Sequence, residues 1–227
     1  MIDYKGFSWS YHFRMNIQSI SSHHPVYGIR MSMDHFPPPP SPFRFQRICV
    51  VGTTGSGKSM LASELSRRLL LPYIELDALY WRPGWTHCTN DELRQQIALL
   101  IQADAWVVDG NYSYIRDLTF TRAEAVVWLD YPLSLILWRL LKRTVKRTIT
   151  RELLWGTNTE RLLPQFFSTD SLFLWALKTY SRRKRTYTAL IASGQYGNIT
   201  FYHLSSPGQT KAWLKTVTPL PVSSGTS

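Results

Sequence analysis

The segment RICVVGTTGSGKS, at residues 47–59, constrains the fold more than any other part of this 227-residue chain. The run RICVV predicts a buried β-strand, and the residues from Lys58 onward place leucines at helical spacing. Between them, four residues fit the pattern G-x-x-x-x-G-K-[ST] without a gap: Gly52, Gly57, Lys58 and Ser59. A strand, a glycine-rich loop and a helix in this order predict a loop whose backbone N–H groups surround phosphate oxygens.

The same loop predicts a site for ATP and Mg²⁺. We expect the Lys58 amine to reach the β- and γ-phosphates and the Ser59 hydroxyl to contact the metal ion. The positive end of the following helix would face the anion. The predicted nucleotide-binding residues are the whole loop and its first flanking positions: Gly52, Thr53, Thr54, Gly55, Ser56, Gly57, Lys58, Ser59 and Met60.

A carboxylate that ends a second apolar strand would complete the metal site. Asp109 follows the run AWVV, and Asp130 follows AVVWL. We favour Asp109, because Gly110 and Asn111 make a tight loop at the carboxyl edge of the sheet, where open α/β sheets bind ligands. The residues after Asp130 are typical of a strand-to-helix cap, although a metal role for Asp130 stays open.

From Gln46 onward, strand patterns alternate with helix patterns. The predicted strands are RICVV, YIEL, AWVVD, AVVWLD and NITFYHL, and the helices between them carry apolar residues at helical spacing. The two longest helices are predicted over residues 133–151 and within residues 171–192. Five strands that alternate with helices predict an α/β protein with a parallel sheet covered on both faces.

A third acid, Asp77, follows the strand YIEL and precedes Trp81, Arg82 and Trp85. A carboxylate at the end of a strand can bind an attacking hydroxyl or accept its proton. The nearby aromatic rings would stack on an acceptor or close a pocket around it. The alternative is structural, with Asp77 as a helix cap and the aromatic residues in the core.

The net charge of +11 is concentrated in one internal segment, since residues 139–185 contain twelve Lys or Arg and three Asp or Glu. Arg139, Arg143, Arg147 and Arg151 recur at a spacing of four and line one helix face. Like charges at this spacing repel each other, and a nearby anion would offset the repulsion. We expect at least one of Arg139, Arg143 and Arg147 to contact phosphate, although a solvated surface face is the alternative.

The two ends of the chain lack these patterns. Residues 1–44, which include four prolines in a row, predict a disordered or poorly packed extension, and residues 218–227 predict a disordered tail. Cys49 and Cys88 are too few for a disulfide framework. Without a signal-peptide pattern or an apolar run of about 20 residues, we expect a soluble, cytoplasmic protein with no membrane partner.

Several segments occur in the order of a known family: VVGTTGSGKS, IELDALYWRPGW, WVVDGNYSYIRD, VVWLDYPL and RELLWG. From Arg44 to Leu214 the chain resembles small bacterial P-loop proteins described as adenylate kinase-like proteins, AAA-family ATPases or DNA topology modulation proteins. This family is similar to the nucleoside and nucleotide kinases. The resemblance implies a five-stranded parallel sheet in the order 2-3-1-4-5 and a helical lid.

The resemblance also implies roles for regions outside the phosphate loop. A kinase-like domain would span residues 45–217, with an acceptor region at about 77–103 and a lid at about 143–183. Arg116 stands where such kinases keep an arginine that contacts the acceptor. Arg139 matches an arginine before the lid, and Arg139 and Arg143 would stabilise the transferring phosphoryl group with Lys58.

These features together predict a phosphotransferase that moves the γ-phosphoryl group of Mg-ATP to a small molecule or nucleotide. If the acceptor is an alcohol, Asp77 would orient its hydroxyl; if it is a phosphate, Arg116 becomes more important. One alternative is a nucleotide-regulated protein that binds nucleic acid, because of the basic segment. Another is an ATPase without an acceptor.

Overall fold

The computed structural model describes residues 43–156, 158–159 and 171–218. Almost all of the predicted extension and tail, and part of the predicted lid, lie outside these residues. The strands are β1 (Arg47–Gly52), β2 (Tyr73–Glu75), β3 (Trp106–Asp109), β4 (Ala125–Leu129), β5 (Leu153–Leu154), β6 (Asn158–Thr159) and β7 (Thr200–Leu204). The helices are α1 (Lys58–Leu69), α2 (Leu76–Tyr80), α3 (Asn90–Leu100), α4 (Arg116–Arg122), α5 (Leu133–Thr150), α6 (Leu172–Ser193) and α7 (Pro207–Thr216).

Five strands form one parallel sheet in the order β2-β3-β1-β4-β7. The predicted order 2-3-1-4-5 is confirmed, since β7 is the fifth strand of this sheet. The short antiparallel hairpin β5-β6 comes between β4 and β7 along the chain and lies outside the sheet. All five carboxyl ends therefore meet at one edge, where the phosphate loop follows β1.

The sheet separates two apolar layers. On one face, Val50, Val107 and Val127 pack with Leu65 of α1 and Ile136 of α5. On the other, the alternate residues of the same strands pack with side chains of α3, α4 and α6, which include Leu93, Phe120 and Tyr187. Strands buried on both faces need the continuous apolar runs seen in the sequence.

The β2 region differs from the sequence prediction. YIEL was predicted as a strand that Asp77 ends, but β2 stops at Glu75 and α2 begins at Leu76. Asp77 therefore lies in the first turn of a helix, where a carboxylate interacts favourably with the helix dipole. Leu76 is buried at this turn and leaves Glu75 and Asp77 only partly buried.

Of the remaining helices, α4 was not predicted from the sequence, and the others lie close to their predicted positions. Thr89 caps α3 through two reciprocal hydrogen bonds with Glu92, and Ser206 caps α7 just before Pro207.

Phe43 is part of the packed core, since its N–H donates to the carbonyl of Thr218 and its ring is 2% exposed. No helix in the described part of the chain is long and apolar enough to cross a bilayer.

Candidate active site

The phosphate loop wraps the beginning of α1, as the sequence predicted. Gly52 has a φ of 157°, and a Cβ there would lie 2.8 Å from both the Leu129 carbonyl oxygen and Ser56 Oγ. Gly57 takes a left-handed conformation, with a φ of 93°, and provides no capping side chain for α1. The first N–H groups of α1 therefore have no capping side chain, and uncapped N–H groups at the start of a helix are the donors that bind phosphate.

Arg139 of α5 lies against this loop. Its Nη1 donates a hydrogen bond of 2.9 Å to the carbonyl of Ser56, and its guanidinium stacks over the Tyr131 ring at 5.1 Å. Arg139 therefore lies beside the phosphate loop, and a contact between Arg139 and phosphate stays a prediction. Arg143 lies one turn further along α5 and is partly buried, whereas Arg147 forms an ion pair with Glu152 at 3.5 Å.

Asp109 ends β3 beside the start of α1. Its carboxylate is buried, and its Oδ2 accepts a hydrogen bond of 3.3 Å from the Tyr73 hydroxyl. Burial raises the pKa of Asp109, while the positive charge of Lys58 and the nearby Ser59 hydroxyl act in the opposite direction. Oδ1 is buried without a hydrogen-bond partner among the described residues. A carboxylate oxygen and a hydroxyl are ligands that suit Mg²⁺, so Asp109 and Ser59 fit the predicted metal site.

Asp130, the alternative metal ligand, has other partners. His203 Nε2 lies 2.9 Å from its Oδ2, and Lys184 Nζ of α6 lies 3.4 Å from the same oxygen. Although burial favours the neutral acid, His203 and Lys184 hold the pKa of Asp130 below its usual value. Asp130 therefore joins α6 to the sheet, and Asp109 is the better candidate for the metal.

Two more carboxylates lie next to Asp109. Glu75 is its register partner on β2, so both side chains project from the same face of the sheet. Burial raises the pKa of Glu75, and the negative charges of Asp109 and Asp77 add to this effect. The Tyr112 hydroxyl donates a hydrogen bond of 2.7 Å to Asp77 Oδ1. The predicted nucleotide site thus adjoins an acidic region at the end of β2.

Aromatic rings surround this acidic region. Tyr80 lies 5.0 Å from Trp81 and 5.2 Å from Tyr112, between ring centroids. Trp81 and Trp85 form an edge-to-face pair at 5.5 Å. The sequence predicted that aromatic residues near Asp77 line a pocket or belong to the core. Trp85 is 38% exposed and Trp81 is only partly buried, so these two rings lie at the surface of the site rather than in the core.

The hairpin β5-β6, within the predicted lid, contacts the predicted acceptor region. The side-chain amide of Asn158 donates to the Arg82 carbonyl and accepts from the Trp85 N–H, with both distances 3.0 Å. Trp155 packs edge-to-face against Trp85 at 6.1 Å. The Trp155 side chain also acts to lower the pKa of Glu75, against the larger effect of burial. These contacts connect the hairpin to Arg82 and Trp85, which belong to the predicted acceptor region.

Arg116 stands at the start of α4. Its guanidinium lies over the Tyr187 ring at 5.4 Å. It lines a small cavity of about 10 Å³, together with Leu76, Gly110 and Asn111. An acceptor contact by Arg116 stays a prediction.

Asn111 connects two parts of the site that sequence reasoning did not link. Its Nδ2 donates to the Gly52 carbonyl at 3.5 Å, and its Oδ1 accepts a hydrogen bond from the Tyr187 hydroxyl. The residue therefore holds the phosphate loop, the loop after β3 and α6 together. Its place directly after Asp109-Gly110 was the only signal for this role in the sequence.

Comparison with known proteins gives similarity to solved structures only. No family model matches this chain, and no curated protein matches it. The chain is similar to a shikimate kinase from Bacteroides thetaiotaomicron, at 16% identity and a TM-score of 0.45, over 76% of this chain and 96% of the other. A gluconokinase from Sinorhizobium meliloti has 20% identity and a TM-score of 0.44, over 75% and 91%.

A third similar structure is a shikimate kinase from Acinetobacter baumannii in complex with shikimate. Its identity is 13% and its TM-score 0.46, over 75% of this chain and 89% of the other. None of the three is similar enough to assign an activity to this chain, whose chemistry follows from its own side chains.

Proposed function

We propose that this protein is an ATP-dependent kinase of the P-loop type that transfers the γ-phosphoryl group of ATP to a small acceptor. The observation that carries the proposal is the meeting of two sites at one sheet edge. Lys58, Ser59 and Asp109 form a nucleotide side, and the partly buried Asp77 lies beside it in an aromatic setting. An ATPase without an acceptor has no need of the second region.

On the nucleotide side, the loop backbone and Lys58 hold the phosphates, and Arg139 reinforces the loop at Ser56. Mg²⁺, held by Ser59 and Asp109, would neutralise charge on the phosphate oxygens. Positive groups around a phosphoryl group stabilise the charge that spreads over its oxygens during transfer.

On the acceptor side, Asp77 accepts the proton of the attacking hydroxyl. A new bond forms between the acceptor oxygen and the γ-phosphorus, the bond to the β–γ bridging oxygen breaks, and ADP leaves. Since Tyr112 donates to Oδ1 of Asp77, it fixes the carboxylate and leaves Oδ2 for the acceptor.

Calorimetric titration of a non-hydrolysable ATP analogue with Mg²⁺ tests the nucleotide side. We expect Lys58→Ala to weaken binding at least tenfold and Asp109→Asn to weaken the Mg²⁺ dependence. Lys142→Ala is the matched control, because Lys142 is exposed on α5 and contacts the ring of Trp138. Equal affinity in the native protein and Lys58→Ala would remove the basis of the proposal.

A further inference from the structure

The end of β2 carries two carboxylates on its way into α2. Glu75 is the last strand residue, and Asp77 lies in the first helical turn. Both are partly buried, and both act electrostatically on neighbouring groups: Asp77 on Tyr112 and Glu75, and Glu75 on Tyr73. A molecule bound beside Asp77 would therefore lie next to two carboxylates.

Neither carboxylate forms an ion pair with any described residue. Three arginines that follow Asp77 along the chain make contacts elsewhere. Arg82 forms an ion pair with Glu92 at 3.1 Å, and Arg94 forms one with Asp117 at 2.8 Å. The guanidinium of Arg116 stacks on the Tyr187 ring. Lys58 acts on Glu75 as well as on Asp109, but its amine serves the phosphates of ATP in the proposed function.

Arg183 of α6 is a cation that interacts electrostatically with Asp77 and Tyr112. Burial lowers its pKa, and the nearby Tyr187 acts in the opposite direction. Its Nη1 is shielded from solvent, and its guanidinium lies 5.9 Å from the Trp175 ring centre. One partly buried guanidinium offsets at most one of the two negative charges, so the acceptor space stays acidic.

Flat apolar faces accompany the acidic groups. The rings of three tryptophans form a connected edge-to-face series: Trp81, Trp85 and Trp155. The Trp155 side chain also acts on the pKa of Glu75. Rings of this kind pack against the flat faces of other rings, while carboxylates accept hydrogen bonds from hydroxyl groups. A phosphate or carboxylate on the acceptor would instead lie close to Glu75 and Asp77.

We propose that the acceptor is an uncharged ring compound with free hydroxyl groups, and that Glu75 excludes its phosphorylated or carboxylated counterparts. This inference rests on the proposed kinase function and selects the alcohol over the phosphate as acceptor. Nucleosides and uncharged sugars or cyclitols share this chemistry. Repulsion between one carboxylate and an anionic group about 6 Å away is worth about tenfold in affinity at an intermediate effective dielectric constant.

The test compares matched pairs of compounds at saturating Mg²⁺ and non-hydrolysable ATP analogue. The sets are four nucleosides with their 5′-monophosphates, glucose with glucuronate and glucose 6-phosphate, and myo-inositol with its monophosphate. Binding is read from the rise in melting temperature as each compound is titrated. We expect one uncharged member to bind at least tenfold more tightly than its anionic partner, and the arms of the panel distinguish nucleosides from sugars.

Glu75→Gln provides the second measurement. This substitution keeps the size of the side chain and removes one negative charge. We therefore expect the ratio of the affinities for the uncharged and the anionic compound to fall about tenfold. Glu64→Gln is the control, because it makes the same charge change on the outer surface of α1, where Glu64 pairs with Arg67 and Arg68. We expect Glu64→Gln to leave the preference unchanged.

The outcomes separate this inference from the proposed function. In one outcome, the ATP analogue raises the melting temperature of the native protein but not of Lys58→Ala, while only anionic compounds or no compounds of the panel bind. This outcome overturns the inference about the acceptor and leaves the nucleotide site in place. An unchanged preference in Glu75→Gln overturns the role of Glu75. If the ATP analogue itself gives no Lys58-dependent shift, the proposed function fails first.

Discussion

Gly110 packs closely against Leu76, and replacement of Gly110 by alanine tests this packing. The residue follows Asp109 and has a φ of 150°. A Cβ at this position would lie 2.5 Å from Leu76 Cδ1 and 2.7 Å from Leu76 Cβ. Because Leu76 stands between Glu75 and Asp77, any movement of Leu76 also shifts both carboxylates.

The expected cost has two parts. A non-glycine residue with positive φ costs roughly 1–2 kcal/mol, and overpacking of a buried leucine costs a further 1–3 kcal/mol. Gly84→Ala is the matched control, since Gly84 has a φ of 71° and nothing within 4 Å of the added Cβ. We therefore expect Gly110→Ala to lose about 2–5 kcal/mol of unfolding free energy and Gly84→Ala about 1–2 kcal/mol.

Urea denaturation followed by circular dichroism measures both values. The gain from a stiffer unfolded chain is the same for two Gly→Ala changes, so it cancels in the difference. The remaining difference of roughly 1–3 kcal/mol reports the contact with Leu76. If Gly110→Ala is no less stable than Gly84→Ala, Leu76 does not pack closely against Gly110. The positions described for Glu75 and Asp77, on either side of Leu76, would then also be wrong.

Three further predictions concern the site and its supports. Asp77→Asn should lower kcat about 10²–10⁴-fold and leave the affinity for ATP within threefold, measured by coupled assay and calorimetry; an equal loss in both would place Asp77 on the nucleotide side. Asn158→Ala should raise the KM for the acceptor and the fraction of ATP that is hydrolysed by water. An unchanged ratio of inorganic phosphate to phosphorylated acceptor would show that the contact of Asn158 with Arg82 and Trp85 is dispensable. Asp130→Asn should cost roughly 1–3 kcal/mol at pH 7. Because the pKa of Asp130 is lowered on folding, this difference in stability should vanish as the pH falls below about 4, and a deficit independent of pH would contradict the pairing with His203.

The fold and the nucleotide side follow from local sequence signals. The glycine pattern at residues 52–59 specifies a loop because glycines take backbone conformations that other residues avoid. The sequence favours Asp109 over Asp130 as the metal ligand because Gly110 and Asn111 form a loop directly after Asp109, and the metal role stays a prediction. In each case the informative residues are neighbours along the chain.

The acceptor side depends on contacts between distant segments, which no local pattern encodes. Glu75 was read only as part of a strand, and its pairing with Asp109 follows from the register of β2 and β3. Asn158 has no motif, and its two hydrogen bonds reach residues more than 70 positions earlier. Asp77 was placed at a strand end because the sequence YIEL does not show where β2 stops.

Product balance tests the central claim, which is transfer of the γ-phosphoryl group to an acceptor. The native protein is incubated with Mg-ATP and the compound that binds best in the panel, and ³¹P NMR follows ADP, inorganic phosphate and any new phosphate ester. We predict one phosphate ester for each ADP, and neither product in Lys58→Ala. ADP matched by inorganic phosphate alone, or equal ADP formation in Lys58→Ala, would contradict the account.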